Sequence, residues 1–161
     1  MNLFQRQSKK GKVGEDLAYN YLLNTGWEVE DTTGNPAYYD IDIDFLMEKD
    51  GHSTSLDVKT EEAMTRTGNM FIETGINYAN GKYKKGWLYV SKAEYIWHVN
   101  PDTGVAFAYR LEEMNEYLKK STPKWGTCND EFKTVDGRLV KPEEYKVSGN
   151  WWQEINLKEI F

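Results

Sequence analysis

Asp44 and, thirteen residues later, Asp57 with Lys59 at the next-but-one position have the types and spacing to do metal-ion chemistry. Two carboxylates held close together need a cation or a proton between them, and a neighbouring ammonium adds positive charge without itself ligating a metal. Asp40 to Phe45 alternates charged and apolar residues, Ser55 to Thr60 alternates again, and Lys49-Asp50-Gly51-His52 lies between. Asp-Gly is favoured in two-residue hairpin turns. With Asp50-Gly51 as the turn, Lys49 faces His52, Met47 faces Thr54 and Phe45 faces Leu56. Asp44 then faces Asp57, Ile43 faces Val58 and Asp42 faces Lys59. This register predicts apolar residues on one face and charges on the other, and a slip by one residue would scramble that sorting. Opposed residues have Cβ atoms about 4.5–5.5 Å apart, and like charges there destabilise a sheet. Mg²⁺ answers the need, because it accepts one or two carboxylates and keeps waters for a substrate. For Asp40, Asp42 and Asp44 alone, the plainer reading is a solvated strand face.

The elements that must position these groups follow from periodicity. Val13, Leu17 and Tyr21, widened by Ala18 and Leu22, predict a helix from about Val13 to Asn24, ended by Thr25-Gly26. Glu15 lies at the margin of that apolar stripe and is expected to point toward the sheet, with Asp16 on the wet side. Trp27 to Glu30 and Met70 to Thr74 read as strands, and Asp40 to Met47 as the first arm of the hairpin. Tyr95–Val99 and Val105–Tyr109 read as a second hairpin around Pro101 to Gly104, followed by a helix from about Leu111 to Lys120. Gly81 to Gly86 reads as a loop, and Asp136-Gly137 as a turn in a C-terminal part whose topology the pattern leaves open. The order α-β-β-β, then β-β-α, predicts an α/β (α+β) domain with a largely antiparallel hairpin core. One domain is expected over 1–161, with its core at about 11–120 and a C-terminal strand and loop extension at about 121–161.

The constellation Glu15, Asp44 (with Asp42 as rival) and Asp57-Val58-Lys59 resembles the PD-(D/E)xK nuclease superfamily. That motif is a helix glutamate, a strand aspartate and a (D/E)-x-K on the paired strand. Thr67 to Glu73, Gly86-Trp87 and Ser91 to Tyr95 look like a small phage-type branch, and the resemblance covers about residues 11–118. Two departures stand out: no proline precedes the strand aspartate, Pro36 lying upstream, and Asp57 replaces the commoner glutamate. The resemblance implies a restriction-endonuclease-like αβββ core with a mixed, largely antiparallel central sheet flanked by helices. It implies phosphodiester hydrolysis of DNA, with Asp44, Asp57 and the Val58 carbonyl holding Mg²⁺, or Mn²⁺ in its place. Lys59 would orient the attacking water, its pKa lowered by the metal, and Glu15 would bind through water or complete a second metal site. Glu73 is a weaker candidate.

Composition sets the remaining bounds. The formal charge of −6 argues against a protein that simply coats phosphates, but residues 28–62 hold eleven acids against only Lys49 and Lys59. Basic groups flank that centre: Lys9, Lys10 and Lys12 on one side, and Lys82, Lys84 and Lys85 on the other. These are the candidate DNA contacts. Cys128 alone excludes an intramolecular disulfide or a multi-cysteine zinc cluster, and His52 and His98 lack zinc-ligand spacing, which leaves them structural or surface residues. Trp87, Tyr89, Tyr95 and Trp97 read as core rather than base-stacking residues. No run approaches a membrane span and no apolar stretch follows the basic N-terminal residues, so a cytoplasmic protein is expected. A homodimer is the expected way to cut two strands. Two other functions compete: a nuclease-fold accessory of a phage or mobile element that binds nucleic acid or protein without cleaving, and a glycosidase using Asp44 and Asp57 at the separation of a retaining enzyme.

Overall fold

The computed structural model describes residues 3–121, 124–129 and 131–159. Helix α1 (Leu3–Asn24) leads into β1 (Glu28–Asp31), a 3-10 helix (Pro36–Ile41), β2 (Phe45–Lys49) and β3 (His52–Thr60). Then come α2 (Ala63–Thr67), β4 (Met70–Tyr78), β5 (Tyr83–Lys85), α3 (Trp87–Val90), β6 (Tyr95–Val99), β7 (Val105–Arg110) and α4 (Leu111–Lys120). The chain closes with β8 (Lys124–Asn129), β9 (Lys133–Val140), α5 (Pro142–Lys146) and β10 (Trp152–Asn156).

Six strands form the central sheet in the order β1-β2-β3-β6-β7-β10, antiparallel throughout except for the parallel pair β3 and β6. The fold is mixed α+β, with a mostly antiparallel central sheet flanked by helices. Alternation along β3 decides which layer each residue enters. Leu56 and Val58 join Phe45, Met47, Trp97 and Val99 under Ala18 and Leu22 of α1. On the opposite face Ile96, Phe107 and Tyr109 pack against Leu88, Met114 and Tyr145, with Met70, Ile72 and Val140 beside them. Each such side chain, fully buried, contributes roughly 1.5–3 kcal/mol. Asp57 and Lys59 point toward this second layer, between the central sheet and a smaller sheet of order β5-β4-β9-β8.

The hairpin has the predicted register, with Phe45 opposite Leu56, Met47 opposite Thr54 and Lys49 opposite His52. Asp50 and Gly51 both have positive φ (51° and 77°), the conformation that a tight hairpin turn requires. The strand predicted over Asp40 to Met47 is shorter than expected. Asn35 caps a 3-10 helix at the Ala37 amide, Pro36 sits in its first turn, and Asp42 ends it at φ 52°. The apparent alternation of Asp40, Ile41 and Asp42 therefore belongs to a turn. Because the chain swings there, Ile43 enters the layer of Met70 and Trp87 rather than joining Phe45 and Met47.

Other boundaries shift for similar reasons. Helix α1 begins at Leu3, ten residues before the predicted start. β4 runs on to Tyr78 and lies in the smaller sheet, and the Gly81–Gly86 loop contains the short strand β5. Asp136 and Gly137 are not a turn: β9 runs straight through them, opposite the irregularity between Glu73 and Gly75. β10 pairs with β7 at the edge of the central sheet, and β9 pairs with β4.

Candidate active site

Asp44 lies just outside β2, at the end of the hairpin ladder. Its backbone N–H donates to the Leu56 carbonyl at 3.0 Å, and its Oδ2 accepts the Val58 N–H at 2.8 Å. Leu56 and Val58 point their main-chain groups the same way along β3, so the Val58 carbonyl also faces the Asp44 side. The Asp44 and Asp57 carboxyl groups act on one another, Asp57 lowering Asp44 and Asp44 raising Asp57. Asp57 is only 2% exposed, and its Oδ2 has no hydrogen-bond partner. Lys59 Nζ stands 3.1 Å from that oxygen, an ion pair without hydrogen-bond geometry, and 3.3 Å from Asp42 Oδ2.

Burial pushes the Asp57 carboxyl well above the usual range, Lys59 lowering it and Asp44 adding to the rise. Burial raises Asp44 too, against the Val58 amide and Lys59. For Lys59 burial works downward, yet Asp57 and Asp42 outweigh it and hold the ammonium protonated above its ordinary value.

Helix α1 reaches the site through a close approach to β3. A Cβ on Gly14 would fall 1.9 Å from Thr60 Oγ1, and Thr60 donates to the Gly11 carbonyl at 3.2 Å. Glu15 is thereby set half-buried within the field of Asp44. Burial first, and then that carboxylate, push its pKa up to about 7.

Glu73 of β4 accepts the Trp87 N–H at 3.2 Å, and its carboxyl is raised by burial while Lys59 pulls it down. Trp87 is 7% exposed, with its ring centroid 5.0 Å from Lys59 Nζ. Behind it His98, fully buried, bridges Glu61 Oε1 and the Tyr109 hydroxyl at 2.7 Å each. The Trp87–Lys59 contact and the Glu61–His98–Tyr109 chain escaped sequence reasoning. The β3–β6 register, which sets His98 beside Lys59, is the signal that would have found the second. Tyr89, expected in the core, is 53% exposed, whereas Trp97 is buried and Tyr95 half-buried. His52 is exposed at the hairpin.

A groove of about 560 Å³ opens beside Lys59, bordered by Lys10, Glu61, Glu62, Glu73 and Cys128. Lys10 pairs with Glu62 at 2.6 Å and Lys12 with Asp16 at 2.8 Å. Lys9, Lys82, Lys84 and Lys85 are exposed, the last two on β5, which leads directly into Gly86 and Trp87. Among the described residues no three Asp, Glu, His or Cys side chains converge as a ready-made metal cluster. The oxygen donors at hand are two carboxylates and a main-chain carbonyl, a set suited to a hard cation that keeps several waters. The buried Asp57 oxygen that accepts no hydrogen bond, and the mutual influence of the Asp44 and Asp57 carboxyls, are what such an ion would relieve.

The chain is similar in structure to a bacterial homing endonuclease, I-Ssp6803I, with a TM-score of 0.55 and 14% sequence identity over 85% of this chain and 80% of that one. At that identity the likeness shows the fold. No family model matches the chain, and no curated protein does. Among the described residues no helix is long and apolar enough to cross a membrane.

Proposed function

We propose that this protein is a Mg²⁺-dependent nuclease of the PD-(D/E)xK type that hydrolyses phosphodiester bonds of DNA. The observation that carries the reading is the buried Asp44–Asp57 pair with Lys59 3.1 Å from Asp57, on a fold shared with a homing endonuclease. Asp44, Asp57 and the Val58 carbonyl would hold Mg²⁺, with Mn²⁺ as a substitute. Bound there, the ion supplies Lewis acidity, activating water and offsetting charge on the phosphoryl group. Asp44 fits the ligand role better than Asp42, because the Val58 N–H holds its carboxylate against β3 beside Asp57, whereas Asp42 belongs to the turn that ends the 3-10 helix.

The chain's own residues do the rest. Lys59, kept protonated, donates to the attacking water or to a phosphoryl oxygen and stabilises developing negative charge. Glu15 stands where it can accept a hydrogen bond from a water beside Asp44, and its value near 7 suits it to exchange a proton at neutral pH. Lys82, Lys84 and Lys85, together with Lys9, Lys10 and Lys12, supply the phosphate contacts that orient a backbone. One such site per chain cuts one strand at a time, and two copies would serve to cut both.

The test is cleavage of linear, circular, single-stranded and branched DNA in Mg²⁺ or Mn²⁺. Wild-type protein should cut at least one of these, and folded Lys59→Ala should cut none. A wild type inert on all four sinks the reading. The net charge of −6 and the absence of a proline before the strand aspartate favour a second reading, a nuclease-fold accessory that binds nucleic acid or protein without turnover. It predicts binding that survives Asp57→Asn and no cleavage by either form.

A further inference from the structure

Among the described residues the Lys59 ammonium stands 3.1 Å from Asp57 Oδ2, 3.3 Å from Asp42 Oδ2 and 5.0 Å from the centroid of Trp87, with the Asp44 and Glu73 carboxylates also in its field. The nearest of these, Asp57, is a carboxylate assigned to the metal. We propose that Trp87 is a positioning residue for Lys59, keeping the ammonium aimed at the Asp44–Asp57 pair when a divalent cation takes up Asp57. The inference rests on the nuclease reading above and extends it to a residue outside the motif.

The chemistry favours an aromatic face in this place. An indole attracts an ammonium through its quadrupole, most strongly when the pair is shielded from water. Being neutral and lacking a lone pair for the ion, it neither competes for a divalent cation nor cancels the lysine's charge. Asp42 cannot do this alone, since its side chain is 38% exposed and water weakens its hold.

The indole is itself fixed from two sides, by β4 and by His98. Gly86 N–H donates to the Thr74 carbonyl at 3.0 Å, and Trp87 N–H to Glu73 Oε1 at 3.2 Å, which pins the start of α3 to β4. The approach is so close that a Cβ on Gly86 would lie 2.4 Å from the Glu73 backbone oxygen. From behind, the His98 ring stands 5.8 Å from the indole, held by Glu61 and Tyr109. His98 is also the parallel-strand neighbour of Lys59, so one buried layer carries both the lysine and the wall that backs its aromatic support.

A purely structural Trp87 would be served by any apolar side chain of similar bulk. A positioning Trp87 ranks Trp above Phe above Leu, and it acts on kcat rather than KM. The experiment compares wild type, Trp87→Phe and Trp87→Leu in Mg²⁺-dependent cleavage. In parallel, the Lys59 ε-methylene proton resonance is followed in the metal-free protein. We expect an upfield ring-current shift in wild type, smaller in Trp87→Phe and lost in Trp87→Leu. With melting temperatures checked, kcat should fall about 3-fold in Trp87→Phe and about 10-fold in Trp87→Leu, with KM within about twofold. If Trp87→Leu does not fold, Trp87→Phe carries the comparison by itself. Wild-type kcat in the folded variants, or no ring-current shift in wild type, overturns the proposal. Should the wild type cut no DNA, the nuclease reading falls, and the resonance alone then judges the contact. Present in wild type and lost without the indole, it upholds the hold on Lys59; absent, it overturns it.

Discussion

Val58 donates its backbone N–H to Asp44 Oδ2 at 2.8 Å, so β3 holds by its main chain the carboxylate that faces its own Asp57 side chain. This bond replaces a ladder hydrogen bond at the point where β2 has ended. It orients Asp44 without neutralising it, and the strain of two opposed acids falls on the buried Asp57.

Asp57→Asn should leave the fold intact and remove both metal binding and cleavage. The amide keeps the side-chain volume and can donate to Asp44, so metal-free stability should stay within about 1 kcal/mol of wild type. Urea unfolding in EDTA measures the first effect. The melting-temperature rise on adding Mg²⁺, present in wild type and absent in the variant, measures the second. A variant that still gains stability from Mg²⁺ would place the ion elsewhere.

Removing Lys59 should cost more than removing Asp57. Lys59→Ala leaves Asp57 and Asp42 facing each other's charge with no ammonium, and losing one partner of a buried pair costs roughly 3 kcal/mol. The loss should be smaller in acid, where Asp57, raised by burial, takes up a proton, than at neutral pH. Equal destabilisation at both would mean that the ion pair contributes little.

The pH dependence of metal-free stability has a definite sign. Glu15 is raised from its ordinary 4.5 to about 7, by burial first and by Asp44 next, so its folded form binds a proton more tightly than its unfolded form. Stability from this group is therefore present below the ordinary value and lost as pH rises through the window from 4.5 to about 7. Asp44 and Asp57, both raised, act in the same direction. Scanning calorimetry in EDTA should show wild type losing melting temperature relative to Glu15→Gln across that window. Mg²⁺ should oppose the loss, because ligation needs deprotonated carboxylates. A wild type that gains on Glu15→Gln as pH rises contradicts the environment assigned to Glu15.

Gly86→Ala should displace the strand-to-helix corner that carries Trp87. Its methyl would meet Glu73 and Thr74 backbone, which cannot move aside as a side-chain end could. Overpacking of this kind costs about 1–3 kcal/mol. Thermal unfolding should show that loss.

Alanine at Lys82, Lys84 and Lys85 should weaken DNA binding and lessen its salt dependence while leaving the fold unchanged. Each phosphate contact removed should reduce the salt slope by about 0.9 on duplex DNA. An unchanged slope would take β5 out of the interface.

The hairpin was legible because Asp50-Gly51 and the apolar partners Phe45, Met47, Leu56 and Val58 fix one register between them. Glu15 was legible as a carboxyl at the margin of a helical stripe. What escaped the sequence depends on contacts far apart along the chain. Asp42 looks like a strand residue until Asn35 and Pro36 impose a 3-10 turn. Trp87 reads as core, because nothing local announces that Lys59 lies across its face. Gly14 and Gly86 look like ordinary helix and loop glycines, whereas each marks a backbone approach too close for a methyl group.

The most direct test of the account is a calorimetric Mg²⁺ titration of wild type, Asp44→Asn and Asp57→Asn just below neutral pH. The account predicts saturable binding with proton release in wild type and none in either variant. Binding that persists in Asp44→Asn would shift the ligand to Asp42. No binding by wild type, or equal binding by all three, would contradict a divalent site between Asp44 and Asp57.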